Sequence, residues 1–159
     1  MILLVHMLFG SAIGYTVYSL TNQIWLSFLL AFLSHYFLDL FPHIEYLAST
    51  EDSVKKLKSK SPKEYLPDLF KVIVDFLSGI LLIYFVSTDQ PYIYFCAILA
   101  IVPDGLTVIN SLFEINILKK HHYFHGKIIH FLKHKKISTF WRISTQATAS
   151  IISIYLLLL

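Results

Sequence analysis

The sequence is short of charge. Charged residues make up 14% of its 159 residues, whereas a soluble globular domain carries roughly 25%. Hydrophobic residues make up 56%, and the mean hydropathy is +0.64. This balance excludes an ordinary water-soluble domain and predicts an all-α integral membrane protein. The length predicts a single domain covering residues 1–159.

Cysteine, glycine and proline are also scarce. The single cysteine, Cys96, excludes an intrachain disulfide and a CxxC metal motif. Five glycines and five prolines leave little room for long flexible linkers. The lysine-rich segments lack the interleaved aromatic residues of a nucleic-acid binder, so we expect membrane lipids, and no nucleic acid, as partners.

Long apolar runs make up most of the sequence. A membrane helix needs about 20 apolar residues, and five runs approach that length, which predicts a helical bundle with spans near 2–20, 24–41, 69–86, 92–118 and 140–159. In the first run Gly10 and Gly14 form a GxxxG pattern that permits close helix packing. In the fourth, Pro103 predicts a tilt or bend. Apolar residues alternate with Lys and His around 128–132, which predicts a short interfacial helix.

The basic residues predict an orientation. All thirteen Lys and Arg lie within 46–71 and 119–142. By the positive-inside rule these two segments face the cytoplasm. The amino terminus is then inside, as in a protein of a prokaryotic inner or plasma membrane.

The stretch 34–45 carries an unusual density of ionisable groups. If it is helical, His35 and Asp39 leave the same face one turn apart. Pro42 then ends the helix, and His43 follows. A structural hydrogen bond between His35 and Asp39 is the plainer alternative.

Three aspartates lie within the apolar runs: Asp39, Asp75 and Asp104. Each would cost about 2.5–3.5 kcal/mol at mid-membrane depth, so together they require neutralising partners. A divalent cation would neutralise them, and we predict the ligands His6, His35, Asp39, His43 and Asp104. Nitrogen and oxygen ligands without thiolate favour zinc, with manganese or iron as alternatives. Alternatively, His6 is an interfacial residue that binds no metal.

The remaining polar residues have several interpretations. Asp75 is a general base, a ligand, or the partner of Lys71 one turn away. The second basic segment holds five histidines: His121, His122, His125, His130 and His134. We predict that His125 is catalytic and that His121, His122 and Lys127 bind the substrate phosphate. Alternatively, the histidines and lysines of this segment only contact lipid headgroups.

Three features together resemble a known group: a histidine before a glycine-containing helix, the block SHYFLDLFPH at 34–43, and the sequence PDG at 103–105. They are similar to the predicted membrane-bound metal-dependent hydrolases, which include LexA-regulated inner-membrane proteins and are distantly similar to zinc-dependent phospholipase C. The resemblance runs from His6 to about His130 and implies metal ligation by His35, Asp39 and His43. Where that group often has an HRxxTHS-like element, this chain has HHYFHG at 121–126.

These observations favour metal-dependent hydrolysis of a phosphoester, in a lipid headgroup at the cytoplasmic leaflet. Two alternatives remain open. One is a small ion or proton-coupled transporter, because intramembrane Asp and His also mark ion pathways. The other is a non-enzymatic membrane scaffold with a structural metal.

Overall fold

The computed structural model describes residues 2–44, 62–87, 90–113, 115–132 and 135–159. Within them the chain is helical throughout, with no strand, which confirms the all-α class. The α-helices are α1 Leu3–Thr21, α2 Ile24–Asp39, α3 Pro62–Val86, α4 Pro91–Leu99, α5 Val102–Phe113, α6 Asn116–Tyr123 and α7 Thr139–Leu158, and a π-helical turn covers Phe124–Ile129. Most of the first basic segment and His134 lie outside the described residues.

Helix α1 is the centre of the bundle, because it packs against α2, α3, α4 and α7. Its Met7 and Leu8 are fully buried within the main apolar cluster. A Cβ on Gly10 would overlap the Cβ of Ala100, and a Cβ on Gly14 would overlap the sulfur of Cys96. The GxxxG pattern therefore brings α1 against the α4 segment at a distance that no larger side chain permits.

The predicted fourth span, 92–118, is two helices rather than one. Helix α4 ends at Leu99, α5 starts at Val102, and their directions differ by 42°. Pro103 lies in the first turn of α5, where its missing N–H is tolerated. In a continuous helix its ring would clash with the preceding turn. The bend leaves Asp104 just beyond the break, and α5 ends at Phe113.

Two helical segments in the described residues are long and apolar enough to cross a membrane, Leu3–Thr21 and Leu69–Val86. The bent α4–α5 pair makes a third if it counts as one span. Helix α2 has 16 residues, and Arg142 and Gln146 lower the hydropathy of α7. The molecule therefore has the character of a membrane protein with two or three candidate spans. The count of five spans and the orientation stay predictions.

The predicted short interfacial helix differs in position from what is observed. The sequence pattern places it near 128–132, whereas the helical segment is α6 followed by the π-helical turn, which ends at Ile129. Exposed Ile117, Phe124 and Ile128 accompany exposed lysines along this segment. Apolar and basic side chains on one exposed helix are typical of an interfacial position.

We predict that Gly10→Ala destabilises the bundle, because its methyl group must push α1 away from Ala100. Overpacking of this kind costs about 1–3 kcal/mol, so the unfolding midpoint in detergent should fall. Gly105→Ala is the control, because a Cβ there meets nothing within 4 Å. Equal midpoints for the two variants would contradict this account of the helix contact.

Candidate metal centre

Asp39, at the end of α2, lies at the centre of a cluster of histidines. Its side chain is 1% exposed. Five imidazole Nε2 atoms approach its two oxygens. Oδ2 of Asp39 lies 3.0 Å from Nε2 of His35, 3.0 Å from Nε2 of His125 and 3.1 Å from Nε2 of His130. Oδ1 lies 3.2 Å from Nε2 of His6 and 3.8 Å from Nε2 of His43.

These histidines come from parts of the chain that are far apart in sequence. His6 belongs to α1, and its ring stacks on that of His35 with centroids 4.1 Å apart. His125 lies in the π-helical turn, 86 positions from Asp39. The cluster therefore exists only when α1, α2 and the π-helical turn have packed together.

The second ring nitrogen of His35 determines where its proton lies. Nδ1 is 2.7 Å from the carbonyl oxygen of Ala100, which stands at the α4–α5 break. A carbonyl oxygen can only accept, so Nδ1–H donates and the neutral ring presents a lone pair on Nε2. The same argument applies to His43, whose Nδ1 is 2.8 Å from the carbonyl oxygen of Phe41.

His125 is oriented in the same way by a hydroxyl group. Its Nδ1 is 3.2 Å from Oγ1 of Thr107, and that hydroxyl donates its own hydrogen to the carbonyl oxygen of Pro103. The hydroxyl therefore accepts from Nδ1–H, and Nε2 of the neutral His125 ring carries the lone pair. Burial is the largest influence on the pKa of His125 and lowers it, although the nearby Asp39 carboxylate raises it, which favours the neutral ring.

The result is a group of lone pairs that face one another. Nε2 of His35 and Nε2 of His125 are 3.1 Å apart, and both contact the same carboxylate oxygen of Asp39. Oδ1 of Asp104 lies 3.6 and 3.9 Å from these two nitrogens. Donors that surround zinc tetrahedrally at about 2.0–2.1 Å are roughly 3.3 Å apart. These four residues can therefore hold a metal ion.

One side of this group is open. Asp104 is 36% exposed, whereas His35 and Asp39 are almost completely buried. The next residue, Gly105, has no described neighbour within 4 Å of the Cβ position. A small molecule would therefore approach from the side of α5.

The structure brings all five predicted ligands together: His6, His35, Asp39, His43 and Asp104. His125, predicted to be catalytic, lies inside the group as a candidate ligand. His130 was not singled out from the sequence. In an α-helix a residue five positions on points about 140° away, but here His130 N–H donates to the carbonyl of His125, 3.2 Å apart, in a π-helical pattern. Such turns are frequent at functional sites.

Five predicted residues lie outside the two candidate ligand groups: His6, Asp75, His121, His122 and Lys127. His6, a predicted ligand, contacts Asp39 but belongs to neither group. Oδ2 of Asp75 accepts a hydrogen bond from the backbone N–H of Leu4, 3.2 Å away, at the start of α1, so it satisfies an otherwise open helix end. His121 adjoins the cluster, since its ring stacks on His125 and its Nε2 lies 2.9 Å from the Tyr36 hydroxyl.

His122 is half-buried. Lys127 is exposed, and its Nζ lies 5.8 Å from the centre of the Tyr123 ring. Whether Asp75 is catalytic, and whether His121, His122 and Lys127 bind substrate, stay predictions.

Helix α7 holds the segment that carries His43. Three side chains of α7, spaced to share one face, donate hydrogen bonds to three consecutive carbonyls. Arg142 Nη1 donates to His43 O at 3.0 Å, Gln146 Nε2 to Ile44 O at 3.3 Å, and Thr145 Oγ1 to Pro42 O. Because Pro42 follows the end of α2, these carbonyls need partners from elsewhere, and the bonds position the His43 ring.

Comparisons of the chain with protein-family models, characterised proteins and solved structures find no match. Function must therefore be argued from the chemistry of the site.

We predict that metal affinity falls steeply with acid, because protons compete for the same Nε2 lone pairs. A free imidazole titrates near pH 6.5, and burial lowers the pKa of His125. His125 should therefore keep its lone pair down to pH values below that. Competition with a chromophoric chelator should show a zinc affinity that falls as the pH is lowered from 8 to 5. A flat profile from pH 8 to 5 would contradict ligation by histidine.

We predict that Arg142→Ala weakens both the fold and the metal centre. An unsatisfied buried carbonyl costs about 1–3 kcal/mol, and His43 loses its support. The unfolding midpoint and the zinc affinity, measured on the same detergent-solubilised sample, should both fall. Thr148→Ala is the control, because Thr148 is an exposed residue of α7. Unchanged zinc affinity in Arg142→Ala would mean that this helix does not position the ligands.

Proposed function

We propose that this chain is a membrane-embedded metal-dependent hydrolase that cleaves a phosphoester, in a lipid headgroup at the leaflet next to the basic segments. The observation that carries the proposal is the convergence of His35, Asp39 and His125, with lone pairs directed at one point and Asp104 at its open side. A bound divalent ion would lower the pKa of a water molecule and polarise the phosphoryl group. Zinc fits the donor set best, with manganese or iron as alternatives.

The open side supports catalysis over a purely structural role. Structural zinc sites are closed by four protein ligands, whereas catalytic sites keep a position accessible to water or substrate, so catalysis here requires a fifth ligand at the ion or an Asp104 that gives its place to water. Here Asp104 is partly exposed, while the rest of the group is buried. A closed structural ion, as in the scaffold alternative, would not need this access.

Next to the cluster, His121 and Tyr36 offer a place for proton transfer. His121 Nε2 and the Tyr36 hydroxyl are 2.9 Å apart, and the His121 ring stacks on His125. Burial lowers the pKa of His121, so its ring is neutral at pH 7. We assign proton transfer to this pair rather than to Asp75, whose carboxylate contacts the start of α1.

The surroundings of His125 support a lipid phosphate as substrate. Helix α6 and the π-helical turn present exposed Lys119, Lys120 and Lys127. The same segment exposes Phe124 and Ile128. Basic side chains attract anionic headgroups, and apolar side chains enter the acyl boundary. A segment of this kind would hold a phospholipid with its phosphate near the cluster.

We predict that His35→Ala and Asp39→Ala each lose bound metal and lose phosphoester hydrolysis by more than about 100-fold, since even outer-shell changes at metal sites cost 10–100-fold. Elemental analysis and phosphate or headgroup release from phospholipid in mixed micelles provide the two measurements. Thr148→Ala is the control, and unfolding midpoints verify that the variants fold.

Hydrolysis that persists in the His35→Ala/Asp39→Ala double variant would contradict the assignment. Metal-dependent ion flux in liposomes, without hydrolysis, would favour the transporter. Bound metal with neither activity would favour the scaffold.

A further inference from the structure

We propose that the cluster holds two divalent cations and that the carboxylate of Asp39 bridges them. The first ion would be bound by His35, His125 and Asp104, and the second by His43 and His130. This inference rests on the metal-dependent function proposed above and specifies how many ions that function uses.

The number of donors is the first argument. The cluster contains five imidazoles and the two carboxylates of Asp39 and Asp104, whereas zinc takes four ligands. One ion bound by His35, Asp39, Asp104 and His125 would leave the largely buried rings of His43 and His130 unused.

The geometry separates the donors into two sets. His35, Asp39, Asp104 and His125 form one group whose ligand atoms all lie within 4.8 Å of one another, and Asp39, His43 and His130 form another. Asp39 is the only member of both. A carboxylate shared by two ligand groups is suited to bridge ions about 3.5–4 Å apart, the spacing of two-metal sites.

The two oxygens of Asp39 face different partners. Oδ2 contacts Nε2 of His35 and Nε2 of His125, both at 3.0 Å. Oδ1 faces His6 at 3.2 Å and His43 at 3.8 Å. His130 lies between the sets, since its Nε2 is 3.1 Å from Oδ2 and 3.3 Å from Nε2 of His125. Because His130 lies close to His125, its ligation is what differs between the one-ion and the two-ion arrangement.

His43 is oriented as a ligand although it lies outside the first group. Its Nδ1 is 2.8 Å from the carbonyl oxygen of Phe41, so the neutral ring directs the Nε2 lone pair at the cluster. Its own carbonyl accepts from Arg142, at 3.0 Å. This hydrogen bond from α7 would hold His43 in position as a ligand of the second ion.

Charge balance extends the argument to the substrate. Asp39 and Asp104 together carry two negative charges, which one divalent ion neutralises. A second ion would leave two positive charges next to neutral histidines. A phosphoryl group with two ionised oxygens would balance them, and two-metal sites stabilise both the attacking and the leaving oxygen of a displacement. A phosphate monoester is therefore the preferred substrate class.

The test is metal stoichiometry of the full chain in detergent. Protein stripped with chelator is titrated with Mn²⁺ and with Zn²⁺, and bound metal is measured by elemental analysis. We expect two equivalents per chain, and the Mn²⁺ form should give the electron paramagnetic resonance spectrum of an exchange-coupled pair. His43→Ala should retain one equivalent and lose the coupling, Asp39→Asn should lose both ions, and Thr148→Ala should retain both.

The outcomes separate this inference from the function it rests on. One equivalent and an uncoupled spectrum in the unaltered chain, with hydrolysis intact, would overturn the second ion and leave the hydrolase. No bound metal would overturn both. If His43→Ala does not fold, His130→Gln carries the same expectation of one uncoupled ion. Two equivalents retained in His130→Gln would overturn the assignment of His130 as a ligand.

Discussion

The structure depends on one buried charge, the carboxylate of Asp39. Removing a carboxylate from water costs several kcal/mol unless opposite charge and hydrogen bonds compensate. The histidines around it supply part of this compensation, since His35, His43 and His125 place Nδ1 on other acceptors and leave Nε2 facing the carboxylate. The same group of donors can hold a cation, which would contact both the carboxylate and the Nε2 atoms. The stability of the bundle interior therefore depends on how the charge of Asp39 is compensated.

Departures from regular helix lie beside the cluster, and each positions a histidine. The α4–α5 break places the Ala100 carbonyl where His35 needs an acceptor. After α2 ends at Asp39, the chain turns through Pro42 and places Nε2 of His43 3.8 Å from Oδ1 of Asp39. The π-helical turn aligns His130 with His125. Irregular backbone at membrane depth is tolerated where it lines a polar site, and here it directs histidine side chains toward Asp39.

Close packing of α1 couples these features. Gly10 and Gly14 allow α1 to approach the α4 segment, and the same helix carries His6, which stacks on His35. The small residues therefore affect the site although they lie outside it. Helix α7 contributes from the other side, because its polar side chains hold the three carbonyls after α2. Its polar face also explains why α7 has low hydropathy for a predicted span.

The sequence by itself determined the helical class, the GxxxG contact surface and the pairing of His35 with Asp39, because these follow from composition and from the period of a single helix. It also identified which residues needed a partner, since an aspartate in an apolar run cannot remain unneutralised. The tertiary structure decided which helix faces meet. It placed His125 among the candidate ligands, added His130 through a π-helical turn, set Asp75 at the start of α1, and divided the fourth apolar run into two helices. Side chains 86 positions apart, such as Asp39 and His125, are brought together by packing between elements, and no local period encodes that packing.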